Sequence, residues 1–561
     1  MASLHSRFPA ELPDWNNLDV IHRNALPPRS TFDTHRSEEA ALTGSGDCQL
    51  LSGTWKFAHS ASPFQGYVDF WKGLDTSGWA DITVPGHWQL QGLGGRPHYT
   101  NLPYPFPVDP PHVPYETNET GRYVKTFRVV AELASGAQLR LRFDGVDSAF
   151  KVWVNGAEVG YSQGARNPTE FDISPWVRID EENVLAVEVY ARCDGTYIED
   201  QDQWWLSGIF RDVTLHYFPT IHPEDIFIRT ELDKSYRDAS MLIYIPTNEK
   251  TDVAATLFDK SGSEIAHGSK LATASGSTIA MNVSNPVKWT AETPELYTLL
   301  LSCSHFHVAF KVGFRQVEII DGVFCVNGSP VKFKGVNRHE HHPKFGRAVP
   351  YDYLKEDLLM MKRAGINALR TCHYPNDPRL YDLADELGLW VMDEADLECH
   401  GFERIGTDKP EAFTSDNPEW EEAYVDRARQ MVLRDRNHPS VITWSLGNEA
   451  FYGRNHRAMC DLIRTIDPTR PIHYEQDREA ESVDMLSVMY PTIGEVMERA
   501  AVKEWEKPYV LCEFVYAGGN GPGCADEYFD IFYQYPRCMG GFIWEWANHV
   551  SVVQPRKPTS R

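Results

Sequence analysis

The sequence predicts two antiparallel β-sandwiches followed by a parallel (β/α)8 barrel. Up to about residue 312, apolar and polar residues alternate with a period of two, as in residues 138–143, and turn-forming runs separate these stretches. From about residue 314, short apolar stretches alternate with helical patterns such as Leu354, Leu358 and Met361 at i, i+4 and i+7. Strand–helix units repeated eight times are typical of a closed barrel.

This pattern divides the chain into four regions. Residues 1–49 mix Pro, Asp and Arg without periodicity and are predicted to form an extended arm that lies on another part of the molecule. Residues 50–217 contain strands and an Asn-Gly hairpin turn without a convincing helix, which predicts the first sandwich. Residues 218–315 have the length of a small immunoglobulin-like sandwich. Residues 316–561 form the predicted barrel.

Eight barrel strands can be counted in the last region. They are predicted at residues 332–336, 367–370, 389–392, 441–446, 472–474, 485–489, 509–512 and 541–544. After the eighth strand, residues 552–561 contain two Pro and little periodicity. We therefore expect the last outer helix to be missing or replaced, which leaves apolar barrel surface to be covered by something else.

Composition narrows the class of protein. The 561 residues carry a formal net charge of −25, which would repel nucleic-acid phosphates and anionic membrane surfaces. The sequence has no apolar stretch of signal-peptide or membrane-spanning length. Its 10 Cys are scattered without close pairs, which fits reduced thiols. We expect a soluble cytoplasmic protein that binds neither nucleic acid nor membrane.

Two predicted strands each lead to a carboxylate, Glu449 and Glu513. Parallel barrel strands present their chemistry at their carboxyl ends, and two carboxylates that converge there are the minimum needed to cleave a glycosidic bond. The alternative, acids at helix N-termini, is disfavoured because neither Glu opens an amphipathic helix. We assign Glu449 as acid/base and Glu513 as nucleophile; their separation would distinguish retention from inversion.

Other polar residues cluster at predicted strand ends. Glu398 and His400 form a Glu-x-His pair which, with Glu449, offers an oxygen-rich set suited to magnesium or manganese; hydrogen-bonded loop residues are the alternative. Asn448 is placed to bind a sugar hydroxyl next to the reacting carbon. In the run from His339 to His342 adjacent side chains point in different directions, which favours sugar contacts over a closed zinc site.

The segment 194–205 of the first sandwich is dense in acids and ends in two Trp. A solvated acidic loop is the simplest interpretation, but two exposed Trp would be costly in water. We therefore predict that this loop folds against the barrel mouth and helps to close the pocket.

Several long motifs resemble the β-galactosidases of glycoside hydrolase family 2, and the likeness runs from about residue 15 to 546. The motifs are residues 335–343, 436–442 and 444–449, and 199–202 followed by 207–213. The resemblance implies a jelly-roll sugar-binding domain, an immunoglobulin-like domain and a TIM barrel. It also implies retaining removal of terminal β-D-galactose from β-galactosides such as lactose by double displacement.

The resemblance implies roles for individual residues. It supports Glu449 as acid/base and Glu513 as nucleophile, and it matches Glu398, His400 and Glu449 to magnesium ligands. Asp202 matches a residue that holds a sodium ion and the galactose 6-hydroxyl, and Arg370 one that steadies the nucleophile. The positions that match galactose contacts are Asn101, His339, His373, Asn448, Tyr490 and Trp544.

The chain also departs from the pattern of the long family members. Tyr516 stands where they commonly have a His. They continue past the eighth strand with further sodium ligands, a pocket-closing Trp and additional β-domains, so the chain is interpreted as C-terminally truncated relative to them. The alternatives are an inactive or merely carbohydrate-binding family member, or a β-glucuronidase or β-mannosidase. A homo-oligomer is expected because the arm and the uncovered barrel surface favour association.

Overall fold

The computed structural model describes residues 12–44, 46–134, 136–502 and 506–552. The first sandwich packs a seven-stranded antiparallel sheet against a four-stranded one. In spatial order the larger sheet contains His22–Arg23, Ala157–Gln163, Ala149–Val154, Asn183–Tyr190, Thr120–Phe127, Gly53–Ser60 and Ala80–Val84. The smaller sheet contains Thr169–Asp172, Gln138–Phe143, Val213–Phe218 and Cys48–Leu50. Side chains from both sheets, among them Trp55, Leu141 and Val187, form one buried core, as the alternating pattern predicted.

Two short helices depart from the sequence-based expectations. The arm is not only extended, because it includes the helix Glu38–Thr43, which begins where the Ser37 hydroxyl accepts the Ala40 N–H and ends at Gly44 in the left-handed conformation. The first sandwich contains the single turn Ala131–Ala134, although no helix was predicted there. Both are too short to give a clear helical period.

The arm lies on the first sandwich, where His22–Arg23 adds an edge strand to the larger sheet. Trp15 is 2% exposed and packs near the rings of Tyr115 and Tyr190.

The second sandwich has a three-stranded and a four-stranded sheet. Their strands are Phe227–Leu232, Ala239–Ile245 and Ser277–Val283 in one, and Glu264–Ala272, Thr251–Phe258, Tyr297–Ser302 and His307–Val312 in the other. Inward residues such as Met241, Val253 and Leu299 are fully buried. A small sheet of Val317–Ile320, Val323–Val326 and Ser329–Pro330 then leads into the barrel.

Eight parallel strands form the barrel, which confirms the predicted number. We label them in chain order as β1 Phe333–Asn337, β2 Ala368–Arg370, β3 Trp390–Glu394, β4 Val441–Ser445, β5 Ile472–His473, β6 Leu486–Met489, β7 Tyr509–Phe514 and β8 Cys538–Ile543. Backbone ladders connect all neighbours except β5 and β6. There Asp484 donates its N–H to the Ile472 carbonyl and accepts the Ile472 N–H with its carboxylate, at 2.9 and 2.8 Å.

The outer layer is less regular than eight strand–helix units. Its longer helices are Tyr351–Arg363, Pro378–Leu387, Glu421–Asp435, Arg454–Ile466, Ile493–Ala500 and Ala525–Gln534. Between β5 and β6 the chain instead wraps around Asp477, whose carboxylate accepts the backbone N–H groups of Glu481 and Ser482. No helix follows β8 within the described residues; the prediction for residues 552–561 lies outside them except for Val552.

The barrel interior is apolar at one end and polar at the other. Phe333, Trp390 and Phe542 pack with Phe324 of the small sheet and Trp289 of the second sandwich, and together they close the amino end. The carboxyl ends are left for polar side chains. None of the described helices is both long and apolar enough to cross a membrane.

Candidate active site

A cavity of about 810 Å³ opens at the carboxyl ends of the barrel strands. Its lining residues are Tyr99, Asn101, Asp202, Trp204, His373, Glu398, His400, Asn448, Glu449, Tyr490, Glu513, Tyr516, Trp544, Glu545, Asn548, His549 and Val550. Five of these are Asp or Glu, and none of these described residues is Lys or Arg. The cavity is therefore strongly acidic, and it is shared between the first sandwich and the barrel.

Glu513 lies near the end of β7 and is almost completely buried. Arg370 donates to one carboxylate oxygen at 2.9 Å and the Tyr490 hydroxyl donates to the other at 2.7 Å. Burial raises the pKa of Glu513 to about 7 against the attraction of Arg370, and the negative charge of Glu449 adds to the rise. Both oxygens are thus held by donors in a largely dry environment.

Arg370 is fixed from behind the cavity by Glu394, at the end of β3. The two carboxylate oxygens of Glu394 accept from Arg370 Nε and Nη2 at 2.7 and 2.9 Å. Arg370 Nη2 also donates to Asn448 Oδ1 at 2.9 Å. The fully buried Arg370 guanidinium thus connects the chain segments that carry Glu449 and Glu513. It limits the orientations available to Glu513.

Glu449 follows β4 and has a more open environment than Glu513. Its side chain is 28% exposed, and one oxygen lies 2.5 Å from His400 Nδ1. Although burial opposes protonation of His400, its hydrogen bond with Glu449 and the charges of Glu449 and Glu403 raise the pKa of His400. Glu449 and Glu513 thus line the same cavity but differ in solvation.

Glu398, His400 and Glu449 form a group suited to a cation. Each provides a ligand atom, and these atoms lie within 4.8 Å of one another. Glu398 is fully buried, and its Oε2 has no hydrogen-bond partner among the described residues. Burial and the charge of Glu449 raise the pKa of Glu398 well above its usual range. Two carboxylates and an imidazole, one oxygen without a partner, fit a divalent ion such as magnesium or manganese.

The first sandwich contributes a second wall through Asn101 and Asp202. Asn101 donates to one Asp202 oxygen at 2.8 Å, and the Tyr99 hydroxyl donates to the other. Burial raises the pKa of Asp202 despite the Tyr99 hydrogen bond. On the same wall, Trp204 donates from its indole to the carbonyl oxygen of His549 at 2.8 Å.

The segment that carries Asp202 is tied to the barrel by backbone hydrogen bonds. Asp200 donates its N–H to the Glu398 carbonyl at 3.0 Å, and Glu398 donates to the Ile198 carbonyl at 2.9 Å. Segment 194–205 therefore lies against the barrel mouth.

Rings of His and Trp form the side of the cavity near β8. The imidazole of His373 stacks on Trp544 with centroids 5.3 Å apart, and its Nδ1 lies 2.8 Å from Glu394. His339 stands edge-on to both rings at 5.5 Å. Burial lowers the pKa of His339 and His373 well below the usual value, and nearby cationic groups add to the effect. These imidazoles are therefore neutral hydrogen-bonding groups.

Comparison with known proteins matches this architecture along most of the chain. The sugar binding domain of glycosyl hydrolases family 2 matches residues 48–219, a second model of that family matches residues 221–315, and its TIM barrel domain matches residues 317–559. The chain belongs to glycosyl hydrolase family 2.

Curated relatives in the family are named β-galactosidases. The protein from Kluyveromyces lactis is 43% identical over 95% of this chain, and that from Photobacterium profundum is 41% identical over 95%. These matches cover 56% and 54% of the relatives, so the chain spans about half the length of the curated proteins it matches.

Solved structures share the fold at lower identity. A β-glucuronidase from Ruminococcus gnavus superposes with a TM-score of 0.74 at 22% identity and covers 89% of this chain and 91% of that one. A family 2 member from Bacteroides cellulosilyticus gives 0.70 at 24% identity and covers 89% and 65%. At these identities the likeness concerns the fold alone.

Most of the predicted site residues of this family 2 chain meet in one place. Asn101, Asp202, His373, Glu398, His400, Asn448, Glu449, Tyr490, Glu513 and Trp544 line the cavity. Arg370 and His339 do not; both are buried behind its wall. Tyr516, which replaces a His of the long members, is 59% exposed at the rim.

The sequence analysis assigned no role to five residues that line the cavity and to one that supports it. The five are Tyr99, Glu545, Asn548, His549 and Val550, and the sixth is Glu394, which anchors Arg370 and His373. The position of Glu394 at the end of a predicted strand was a usable signal. Tyr99 lies in a strand of two residues and the other four lie on the loop after β8, so no periodic pattern indicates which of these side chains turn inward.

Proposed function

We propose that this chain carries the active site of a retaining exo-β-galactosidase that removes terminal β-D-galactose from β-galactosides such as lactose. The observation that carries the proposal is the pair Glu449 and Glu513 on one cavity, one half-exposed beside His400 and the other buried between Arg370 and Tyr490. About 40% identity to proteins named β-galactosidase supports the choice of sugar.

In the first step, a Glu513 carboxylate oxygen attacks the anomeric carbon while the bond to the leaving oxygen breaks. Glu449 donates its proton to that leaving oxygen, and a galactosyl ester of Glu513 results. In the second step, Glu449 takes a proton from water as the water oxygen attacks the same carbon and Glu513 leaves. Arg370 and Tyr490 stabilise the Glu513 carboxylate before attack and after release.

Magnesium fits beside the acid/base residue, where Glu398, His400 and Glu449 would hold it. When bound, the ion supplies a fixed positive charge that offsets the crowding of carboxylates at this side of the cavity. Sodium at Asp202 stays a prediction; each Asp202 oxygen accepts one hydrogen bond, from Tyr99 or from Asn101, and keeps a further acceptor position. We assign Asp202 and Asn101 to a hydroxyl of the sugar.

A uronate substrate is disfavoured by charge. Recognition of a uronic acid needs a cation to pair with its carboxylate, and the described lining residues include five acids and no Lys or Arg. A neutral galactoside avoids this repulsion. The β-glucuronidase alternative therefore rests on the fold alone.

The proposal is tested with nitrophenyl glycosides of galactose, glucuronic acid and mannose. We expect hydrolysis of the β-galactoside to exceed that of the other two, with β-galactose as the first product in a nuclear magnetic resonance time course. Preference for the glucuronide or mannoside, or α-galactose as first product, would contradict the proposal. Galactoside binding without hydrolysis of any substrate would support a carbohydrate-binding family member instead.

A further inference from the structure

A second group of potential metal ligands lies beside the cavity, away from Glu398 and His400. His339, Glu545 and His549 each bring one ligand atom within 4.8 Å of the others. His339 comes from the end of β1, whereas Glu545 and His549 come from the segment after β8. The adjacent strands β1 and β8 thus place the three residues together, although more than 200 positions separate them in sequence.

These side chains are buried and have unused polar atoms. His339 is 6% exposed, and the side chain of Glu545 is 8% exposed. His339 Nε2, Glu545 Oε2 and His549 Nδ1 have no hydrogen-bond partner among the described residues. Buried polar atoms are nearly always paired, and these three residues lie close enough to bind one ligand between them.

The available contacts leave suitable atoms free for coordination. His339 Nδ1 lies 3.3 Å from the Tyr374 hydroxyl, so the opposite ring nitrogen is the one left without a partner. His549 Nδ1 lies 3.5 Å from Glu545 Oε1, and Glu545 Oε2 is free. Two imidazoles and a carboxylate are a ligand set that zinc uses when it keeps a fourth position open.

We propose that His339, Glu545 and His549 form a zinc-binding site whose open coordination position faces the sugar cavity. The neighbouring residues of the His339–His342 run do not belong to this group: Glu340 pairs with Arg211, His341 Nε2 lies 3.2 Å from the Ser551 hydroxyl, and His342 stacks on Phe345. The ligand set contains two nitrogens and one oxygen, which favours zinc over magnesium.

The proposed site has a consequence for catalysis, and this part rests on the proposed function. Glu545 and His549 line the cavity next to Trp544. An ion held there would occupy the wall against which the sugar is proposed to lie, so zinc should raise KM for the β-galactoside. The inhibition would be competitive and independent of magnesium.

Zinc binding is tested directly on the full chain by equilibrium dialysis with excess magnesium and metal analysis. The wild type is compared with His549→Ala, Glu545→Gln and the matched control His305→Ala, whose side chain is exposed in the second sandwich. We expect about one zinc ion per chain in the wild type and control, and its loss in the other two. A His400→Asn background removes zinc that binds at the Glu398 cluster.

Cobalt gives a second readout that needs no activity. Cobalt added to wild type should produce the visible absorption of a four-coordinate site, and His549→Ala should lose it. Thermal melts establish whether each variant is folded. If His549→Ala is unfolded, Glu545→Gln replaces it in the cobalt experiment.

Equal zinc content in wild type and both variants would overturn the proposal. So would loss of zinc only in Cys372→Ser, because His339 also lies within reach of Cys372 and His373. Zinc binding in a chain that hydrolyses no galactoside would refute the proposed function and leave the metal site standing.

Discussion

Glu513 and Glu449, the two carboxylates proposed for catalysis, have different surroundings. The Glu513 side is complete within the described chain, since Arg370 and Tyr490 satisfy both oxygens and Glu394 fixes Arg370. The Glu449 side is incomplete, since it packs three acidic or imidazole ligands together and leaves Glu398 Oε2 without a partner. The difference indicates that protein donors alone hold the proposed nucleophile, whereas the proposed acid/base lies in a group of side chains suited to a cation.

The largest expected effect comes from removing the nucleophile. Glu513→Gln should lower kcat/KM for a nitrophenyl β-galactoside on the order of 10⁴-fold or more, because no ester can form. Glu498→Gln, an exposed Glu on the helix Ile493–Ala500, is the matched control and should retain activity. Equal turnover by wild type and Glu513→Gln would remove the nucleophile assignment.

Loss of Glu449 should depend on the leaving group. Glu449→Gln should slow hydrolysis of lactose by roughly 10²–10⁴-fold, because the departing hydroxyl needs a proton. A dinitrophenyl galactoside leaves without protonation, so its first step should be much less affected. Equal losses on both substrates would show that Glu449 is not the acid.

Azide separates the two assignments independently of rate. With Glu513→Ala, azide takes the place of the nucleophile and should yield the α-galactosyl azide. With Glu449→Ala, azide replaces water in the second step and should yield the β-galactosyl azide. If Glu513→Ala gave the β-azide and Glu449→Ala the α-azide, the assigned roles of the two residues would be reversed.

A smaller effect is expected when a residue of the proposed cation group, which consists of Glu398, His400 and Glu449, is changed. Glu398→Gln should weaken magnesium affinity by roughly 10–100-fold, measured by the magnesium needed to restore activity after chelation. Asp408→Asn is the control, because Asp408 is an exposed acid on the loop that follows His400 and does not belong to the group. Similar magnesium dependence of both variants would contradict the assignment of Glu398 as a ligand.

The smallest effect concerns pH on the Glu513 side. Activity should fall as the pH drops through about 7, since protonation removes the nucleophile, whose pKa is raised to about 7 by burial. Tyr490 donates to the ionised form, so Tyr490→Phe should raise this pKa and move the acid limb of kcat/KM upward by about one pH unit. Tyr516→Phe is the control on the same cavity. A downward shift in Tyr490→Phe would be inconsistent with this hydrogen bond.

Sequence reasoning reached the barrel and its carboxylates because both follow from local patterns. Periodicity located eight strands, and the rule that barrel chemistry lies at strand ends brought Glu449 and Glu513 together. Asn101 and Asp202 lie on two different loops of the first sandwich, and their roles were reached only through the family resemblance. The role of Glu394 depends on Arg370 and His373 from another strand end, so no local pattern contains it. The segment between β5 and β6 has no helix, and its conformation depends on hydrogen bonds from backbone N–H groups to the Asp477 carboxylate. No local pattern contains this feature either.

The backbone hydrogen bonds between segment 194–205 and Glu398 make the sandwich a structural part of the cavity that contains the proposed catalytic residues. A barrel produced from residue 316 onward would lack segment 194–205, which pairs with the backbone of Glu398. Its cavity would also lack Asn101, Asp202 and Trp204. Because both domains line the cavity, we expect substrate preference to depend on residues of each. Exchange of the first sandwich between family members should transfer part of that preference without any change in the barrel sequence.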